Sequence, residues 1–520
     1  MSASVANDGT DQAQVVAFLS DPATFGVSGP VERIDTHAAM IFLAGDRVYK
    51  LKRAVRFPYL DFTTPAKRKA VCEAELALNS RTAPELYLGV EPVGREPDGR
   101  LALGRGEPLD WVVVMQRFPA DCLFEDMARE RRLGLGLVRE LADRIAAFHA
   151  AAPVVPGAGA ARVCAVIEGN RASMAALPAG ILPEADCNLL AERSLALLAQ
   201  LAPLLDRRAA SGHVRHCHGD LHLANICLWQ GRPTLFDCLE FNPELATTDV
   251  LYDLAFLLMD LSQRGLRREA SVLFNRYCDM RGESDGLAAM PLFLAMRAAV
   301  RAHVEASAAG RQDGAAARNA KIAAARHYLA AALGFLDRPA PRLIAIGGLS
   351  GTGKSTLAGH LAPLIGAAPG ARLLRTDVLR KRIAGVAPED HLPAESYTAE
   401  HNAIVYQRFL EEARGVIEAG MSLVLDGVFA KTAERGAVMD LARATGAPFC
   451  GLWLEAPRAV MHERVAQRRG DASDADGAVI DRQLEYALGD LAGWVSVLAV
   501  GSREDVLARA LAAIGPSVQK

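Results

Sequence analysis

The sequence contains little that would place the chain outside the soluble globular class. Aromatic residues make up 6% of the chain, charged residues 23%, and the net charge is only −3. We find no run of about 18 apolar residues, so we expect no membrane span. The start, MSASVANDGTDQAQ, lacks the basic segment and apolar stretch of a secretion signal. We therefore expect a cytoplasmic protein without membrane partners, and the neutral charge balance disfavours a general nucleic-acid binder.

Cysteine is scarce and unpatterned. The nine cysteines are an odd set without paired spacing, and eight of them precede residue 280. A disulfide framework or a zinc site would show regular spacing, so we predict reduced thiols. The length of 520 residues exceeds what one hydrophobic core usually holds, so two or three domains are expected.

The stretch DRPAPR divides two patterns of predicted elements. Before it, two strands around a turn at Gly45-Asp46, a helix over 65–82 and a buried strand at 111–118 lead into mainly helical sequence. After it, helices alternate with apolar strands, which is typical of a parallel sheet wrapped by helices. These later strands are predicted at 343–347, 371–376, 421–426 and 449–454. The predicted segments are a polar, loose extension (1–30), a first domain (31–336), a linker (337–342) and a second domain (343–520).

The second domain opens with a phosphate-binding motif. GLSGTGKS, residues 348–355, fits G-x-x-x-x-G-K-[ST] and lies between a predicted strand and a predicted helix. Glycines let backbone N–H groups close around phosphate oxygens, the lysine neutralises the terminal phosphates, and the serine hydroxyl binds Mg²⁺. The residues predicted to bind ATP here are Gly348, Gly351, Gly353, Lys354, Ser355 and Thr356.

Further residues extend this predicted site. Asp426 ends the strand MSLVLDG and is predicted to bind Mg²⁺ together with Ser355. In LLRTDVLRKR, Asp377 is the candidate base and Arg380, three residues later on the same helix, is predicted to bind an anionic substrate. Two arginines, one helical turn apart before a polar stretch, are predicted to neutralise the phosphoryl group from a mobile lid: Arg464 and Arg468.

From about 340 to 520 the chain resembles the small P-loop kinases, the group that holds gluconate and shikimate kinases, zeta toxins and polynucleotide kinases. The Asp377-x-x-Arg380 pair is similar to the base and the substrate-binding arginine of polynucleotide kinases. The resemblance implies an α/β P-loop NTPase fold and a kinase that uses ATP and Mg²⁺, and it leaves the acceptor open.

The first domain carries a different signature, HGDLHLAN at 218–225. Phosphoryl transfer to a hydroxyl needs a carboxylate near the nucleophile and oxygen ligands for Mg²⁺. Asp220 and Asn225 in this loop, with Asp237 after the next apolar strand, supply all three. His218 is predicted to hold the loop in shape rather than to act as an acid.

This arrangement resembles the aminoglycoside phosphotransferase family, relatives of the protein kinases, over about 30–336. The resemblance implies a two-lobed α+β kinase-like domain, with Asp220 as base and Asn225 and Asp237 as Mg²⁺ ligands. WVVVMQRF would link the lobes, and DVLYDLAFL matches the family's Asp-Leu-Ala helix, so Asp249 and Asp253 are expected to be structural.

Kinase-like small lobes place a strand lysine on the ATP phosphates and orient it with a helix glutamate. RVYKLK offers Lys50 and Lys52 on one strand face. We prefer Lys50, which an apolar residue flanks on each side, and Glu75 over Glu73. The family's Gly-rich loop, G-x-G-x-x-G, is missing from DTHAAMIFLAGD.

Together the two regions look like bacterial bifunctional proteins that fuse an aminoglycoside-phosphotransferase-like domain to a P-loop ATP-binding domain. We predict two kinases in tandem, each with its own ATP·Mg²⁺ site and an unidentified small-molecule hydroxyl as acceptor. Two alternatives remain: one module is a nucleotide-binding switch or scaffold, or the second is a 5′-hydroxyl polynucleotide kinase. The sequence does not indicate the oligomeric state.

Overall fold

The structure is a computed structural model that describes residues 9–36, 38–57, 60–312, 314–468 and 470–515. Its backbone separates into two units. The first unit combines Met1–Pro156 with Gly212–Leu254, and the second combines Gly157–Ser211 with Ala255–Lys520. The predicted domain limits, which were placed at the DRPAPR stretch and at the change in the pattern of elements, stay a prediction.

The first unit begins with a six-stranded antiparallel sheet in the order β1-β2-β3-β8-β6-β7. The predicted hairpin at Gly45-Asp46 is confirmed as the β2–β3 turn, and an additional strand, β1, pairs with β2. The strands are β1 (Glu32–Asp35), β2 (Ala39–Ala44), β3 (Arg47–Lys52), β4 (Arg56–Phe57), β5 (Leu60–Asp61), β6 (Tyr87–Arg95), β7 (Leu101–Leu103) and β8 (Glu107–Gln116). The helices of this stretch are α1 (Gly9–Ser20), α2 (Pro22–Phe25), α3 (Pro65–Asn79), α4 (Phe124–Arg129) and α5 (Leu135–Ala151).

Two helices pack on opposite faces of this sheet. Residues 9–20, part of the segment predicted to be loose, instead form α1, whose Val15 and Leu19 are buried in a cluster with Phe42 and Leu51. The other face packs against α3, where Thr64 caps the helix N-terminus ahead of Pro65. Because strand side chains alternate, Leu51 points to the α1 face while its neighbours in β3 point to α3.

The chain then passes through the segment that carries the HGD loop. Two short antiparallel pairs, β9 with β12 and β10 with β11, frame the loop 217–225. The elements are α6 (Gly159–Ala175), α7 (Glu184–Ala210), β9 (Val214–His216), β10 (Ile226–Trp229), β11 (Arg232–Leu235), α8 (Pro243–Ala246), β12 (Thr247–Asp249) and α9 (Val250–Gln263).

Three further helices follow: α10 (Arg267–Arg281), α11 (Met290–Ala309) and α12 (Ala315–Phe335). Within the described residues, one stretch, Asp285–Ala309, is long and apolar enough to cross a membrane by length and composition alone. Of the 18 residues in this stretch that meet the criterion, 67% are buried inside the protein. The buried core helix of a globular protein meets the same criterion. Arginines and a glutamate interrupt the apolar residues of this stretch, so the sequence did not indicate a membrane span here.

The C-terminal part of the second unit is a five-stranded parallel sheet in the order β14-β15-β13-β16-β17. The four predicted strands are confirmed, and the edge strand β17 was missed. The strands are β13 (Leu343–Gly348), β14 (Arg372–Arg375), β15 (Leu423–Asp426), β16 (Phe449–Glu455) and β17 (Trp494–Leu498). The helices are α13 (Lys354–Leu361), α14 (Thr376–Ile383), α15 (Ala399–Glu418), α16 (Thr432–Thr445), α17 (Arg458–Ala466), α18 (Gly477–Leu484) and α19 (Arg503–Ile514). The fold is thus a kinase-like α+β domain followed by an α/β P-loop domain, as predicted.

Helix α10 covers the edge strand β14. The Asn275 side chain donates to the Ala371 carbonyl (3.2 Å) and accepts from the Leu373 N–H (2.7 Å). These are backbone groups that a neighbouring strand would otherwise pair. Between them Arg372, 1% exposed, contacts Asp279 and Asn275. The edge of the P-loop sheet is therefore closed by side chains of a preceding helix.

Candidate active sites

The first candidate site lies in the first unit, around Lys50 on β3. Its Nζ is 2.8 Å from Glu75 Oε1 on α3 and 2.5 Å from Asp237 Oδ1 after β11. Asp237 is 187 residues away in sequence, so the fold brings the predicted nucleotide lysine, its glutamate and a predicted metal ligand together. Lys50 and Glu75 are both buried.

The second lysine of β3 has other partners. Lys52 contacts the opposite oxygen of Glu75 at 2.5 Å and also pairs with Glu240. It is 1% exposed and lies deeper than Lys50, which is 9% exposed. Because only Lys50 of the two contacts Asp237 in the described residues, the geometry favours Lys50 as the nucleotide lysine and gives Lys52 a bracing role.

Opposite charges stabilise the cluster that the two lysines of β3 form with their carboxylate partners. Burial opposes the charge of Lys50, but the carboxylates of Asp237 and Glu75 raise its pKa well above the ordinary value. Burial alone would raise the pKa of Glu75, and the ammonium groups of Lys50 and Lys52 lower it to about 2. Burial raises the pKa of Glu240. The lysines are therefore charged at neutral pH and held between carboxylates.

The HGD loop presents its acidic residue at the same site. Asn225 donates its side-chain amide to Asp220 Oδ2 and to the Asp220 carbonyl, both at 2.9 Å. His222 Nε2 lies 3.3 Å from the same carboxylate oxygen. The Asp220 side chain is 40% exposed, so a substrate hydroxyl can reach it. These contacts fix the orientation of the candidate base.

A buried aspartate anchors the loop from behind. Asp253 accepts from the backbone N–H of His218 (3.2 Å) and of Gly219 (2.9 Å), and it contacts His149 Nε2 at 3.1 Å. His218 Nε2 lies 3.0 Å from the Phe236 carbonyl, next to Asp237. Gly219 has φ +83°, and an added Cβ would lie 2.9 Å from Leu239. These contacts agree with structural roles for Asp253 and His218.

The donor set of this site fits Mg²⁺. The side-chain NH₂ of Asn225 is used toward Asp220, so its carbonyl oxygen is the atom left for a metal, alongside the Asp237 carboxylate. Asp237 has φ +59°, a conformation that non-glycine residues seldom adopt and that is common at functional sites. The Lys50 ammonium places a positive charge beside the Asp237 carboxylate.

The second candidate site is the P-loop between β13 and α13. Its glycines Gly348, Gly351 and Gly353 have φ of +138°, +82° and +95°, which other residues rarely adopt. A Cβ at Gly351 would lie 2.6 Å from the Met461 carbonyl, so the loop packs directly on α17. Lys354 Nζ donates to the Leu349 carbonyl at 3.0 Å, and burial lowers its pKa although nearby carboxylates oppose the shift.

The predicted metal ligands of this site meet at the carboxyl ends of the strands. Ser355 Oγ donates to Asp426 Oδ2 at 2.5 Å. Hydroxyl and carboxylate oxygens are the ligands that Mg²⁺ prefers, so the pair fits the ion. Arg375, the last residue of β14 and the register partner of Asp426, donates its Nε to the same oxygen at 3.3 Å. Thr356 is exposed on α13 next to this pair.

The two residues predicted on α14 have different surroundings. Burial raises the pKa of Asp377, opposed by the Arg375 guanidinium, and a hydrogen bond from Ser473 stabilises its charged form. Arg380 instead donates to the Ser396 carbonyl and to Asn402 Oδ1, and it stacks over the Tyr397 ring. Its Nε has no hydrogen-bond partner within the described residues. Substrate binding by Arg380 stays a prediction.

The arginines predicted on a lid differ from the expectation in one respect. Arg464 lies in α17 and donates to the carbonyls of Thr352 and Ala499, so it braces the P-loop. Arg468 lies beyond the end of α17 at Ala466, so the two do not share a helical turn. The prediction of one shared helical turn was wrong, because the helix ends before the polar, glycine-containing stretch.

Residues 471–474, which follow Arg468, contact side chains of neighbouring elements. Asp471 accepts from Arg375 Nη2 at 2.7 Å, and Asp474 accepts from Lys381 Nζ at 3.0 Å and from the Tyr397 hydroxyl at 2.5 Å. The sequence analysis missed Arg375 and these aspartates. One signal was available for Arg375: it ends a strand of the parallel sheet, where ligand-binding side chains gather.

Comparison with known proteins gives matches for both parts. Residues 111–292 match the Phosphotransferase enzyme family, and residues 343–488 match a family described as an AAA domain. The "Uncharacterized protein Rv2004c" of Mycobacterium tuberculosis and the "Uncharacterized protein Mb2027c" of Mycobacterium bovis are each 30% identical over 474 residues, which is 88% of this chain and 90% of the relative.

Two solved structures are also similar. A choline/ethanolamine kinase family protein from Mesorhizobium loti is 18% identical with a TM-score of 0.37, covering 62% of this chain and 98% of that one. A gluconokinase from Sinorhizobium meliloti 1021 is 21% identical with a TM-score of 0.24, covering 34% of this chain and 93% of that one. The chain belongs to the family of the mycobacterial proteins, and it is a kinase-type enzyme that joins an aminoglycoside-phosphotransferase-like domain to a P-loop kinase-like domain.

Proposed function

We propose that the protein is a tandem ATP-dependent phosphotransferase in which each module moves the γ-phosphoryl group of ATP to a hydroxyl of a small molecule. The observation that carries the proposal for the first module is the contact of Lys50 with both Glu75 and Asp237. For the second module it is the contact of Ser355 with Asp426 at the end of the P-loop.

In the first module Lys50 would bind the ATP phosphates while Glu75 holds its side chain in place. Asn225 and Asp237 would hold Mg²⁺, which supplies positive charge to the phosphates when it is bound. Asp220, fixed by Asn225 and His222, would accept the proton of the acceptor hydroxyl. The Asp253 contacts keep the loop backbone rigid, as a preorganised base requires.

In the second module the P-loop N–H groups and Lys354 would bind the phosphates, with Ser355 and Asp426 as Mg²⁺ ligands. Asp377 would act as base, and its raised pKa makes it a better proton acceptor than an exposed aspartate. Arg468 and Arg464 would neutralise the transferred group, the latter after giving up its carbonyl contacts. Arg380 would contact an anionic acceptor through its guanidinium, whose Nε has no hydrogen-bond partner within the described residues.

The proposed setting is the cytoplasm, with no membrane or nucleic-acid partner. The nine cysteines are an odd set without paired spacing, which supports a reducing compartment. The ionisable groups around Asp377 are of both signs, which gives no preference for a polyanionic chain over a small acceptor.

The experiment is a titration of the full chain with a fluorescent, non-hydrolysable ATP analogue, followed by a screen of hydroxyl metabolites for ATP-dependent phosphorylation. Two binding sites are expected, one weakened about tenfold or more in Lys50→Met and the other lost in Lys354→Ala. The matched controls are the exposed lysines Lys69→Met and Lys431→Ala, which should keep both sites. A chain that binds the analogue once, or not at all, contradicts the proposal.

The screen separates catalysis from a nucleotide-binding switch. Asp220→Asn and Asp377→Asn should each abolish transfer to one acceptor while leaving analogue binding intact. A module that binds the analogue and phosphorylates nothing in the library is a switch or scaffold. Labelling of a short oligonucleotide that Asp377→Asn abolishes would instead identify a polynucleotide kinase.

A further inference from the structure

In the second unit, Arg375 links the predicted metal site to the segment 471–474. Its Nε donates to Asp426 Oδ2 at 3.3 Å, and its Nη2 donates to Asp471 Oδ1 at 2.7 Å. The Asp426 oxygen is the one that also accepts from Ser355 Oγ. One guanidinium therefore holds both a predicted Mg²⁺ ligand and a residue of the polar segment.

The placement of Arg375 is not that of a surface ion pair. Its side chain is 20% exposed and that of Asp426 is 6% exposed, so little water screens their charges. The register of β14 with β15 sets the two residues side by side, so backbone pairing imposes their contact. Without Arg375, the Ser355 hydroxyl would be the only direct side-chain partner of the buried Asp426 carboxylate among the described contacts, and the positive charge near it would be that of Lys354.

We propose that Arg375 is a positioning residue of the P-loop site: it holds Asp426 and Asp471 together while magnesium is absent, and it releases Asp426 when magnesium and nucleotide bind. This inference rests on the proposed function of the second module. A protein cation and a metal cation compete for the same carboxylate oxygen. The contact with Asp471 keeps the released guanidinium beside the site, within reach of an anionic group.

The competition has a measurable consequence. Removing the guanidinium should make Mg²⁺ binding easier, because the ion no longer has to displace a positive charge from Asp426. It should also loosen residues 471–474, which lose the Arg375–Asp471 contact. A residue that only stabilised the fold would loosen the segment without lowering the Mg²⁺ requirement.

The test measures how binding of the non-hydrolysable ATP analogue to the full chain depends on Mg²⁺, counting the part of binding that Lys354→Ala removes. In Arg375→Met the Mg²⁺ concentration for half-maximal binding should fall about tenfold, the factor that corresponds to about 1.4 kcal/mol. Arg375→Lys, which keeps the charge, should show a smaller decrease. Hydrogen exchange of 471–474 without nucleotide should rise in Arg375→Met.

The matched control is Arg382→Met in α14, because Arg382 pairs with Glu412 and has no contact with Asp426 among the described pairs. Its Mg²⁺ dependence should equal that of the unmodified protein. An unchanged or higher Mg²⁺ requirement in both Arg375 variants overturns the inference and leaves the proposed function standing. Absence of any Lys354-dependent binding in the unmodified protein overturns both.

Discussion

Replacing Asp279 with alanine should destabilise the β14 edge of the P-loop sheet. Asp279 on α10 pairs with Arg372, which is 1% exposed, so the variant leaves a buried guanidinium without its carboxylate. Breaking a buried ion pair from one side costs about 3–5 kcal/mol. Asn275 still contacts Arg372 at 3.0 Å, which places the expected loss near the lower end of that range.

A neighbouring pair on the same helix provides the control. Arg276 contacts Glu389 at 2.7 Å, but that carboxylate is 42% exposed, and water screens the pair. Exposed pairs contribute about 0–1 kcal/mol, so Arg276→Ala should have a small effect. Each variant removes one ion pair of α10, with Arg372 of β14 in the first case and with Glu389 in the loop after α14 in the second, and the two pairs differ in burial.

The assay is hydrogen exchange of residues 371–376 in the full chain, because a chain of several units has no single unfolding free energy. Exchange should accelerate strongly in Asp279→Ala and little in Arg276→Ala. Adding Arg372→Met to Asp279→Ala should recover much of the protection, since an apolar replacement removes the unpaired charge. Equal exchange in the two single variants would refute the reasoning that α10 holds this strand through buried charge.

Other changes separate function from stability. Lys50→Met should weaken binding of the ATP analogue at the first site about tenfold or more, the effect of losing one charge-assisted contact. Lys52→Met should mainly accelerate hydrogen exchange of β3, because it breaks a buried pair. Asp377→Asn should abolish transfer by the second module without accelerating hydrogen exchange of α14, since burial disfavours the carboxylate it removes. Gly351→Ala should abolish analogue binding at the P-loop, whereas Gly359→Ala, whose added methyl group meets nothing within 4 Å, should not; titrations of both variants check this.

Local sequence patterns predicted the main parts of both sites, because phosphate chemistry imposes short-range spacing. The P-loop glycines and the Asp220–Asn225 loop each lie within a few residues of chain, so their motifs could be read directly. The end of the strand MSLVLDG also identified Asp426 as a candidate metal ligand, and the parallel pairing of β13 with β15 brings that strand end to the edge that carries the P-loop.

Contacts between distant parts of the chain could not be read in the same way. Because strand side chains alternate with a period of two, Lys50 and Lys52 lie on one face of β3. Only the contact with Asp237 distinguishes the role of Lys50 from that of Lys52. Helix α1 was hidden because its polar composition outweighed the i, i+4 pair Val15 and Leu19. The contact of Asp471 with Arg375 joins two residues that are 96 positions apart in the sequence, so no local pattern could predict it.

In both candidate sites a positively charged side chain lies beside the carboxylate that is predicted to bind the metal. A partly buried carboxylate with no cation beside it would be costly, and in each site a side chain of the protein supplies the positive charge: Lys50 for Asp237 and Arg375 for Asp426. Each cation also has a second acidic partner, which keeps it in place once the first contact is lost. We therefore predict that metal binding in either site exchanges one cation for another, and that it needs the additional charge of the nucleotide phosphates to be favourable.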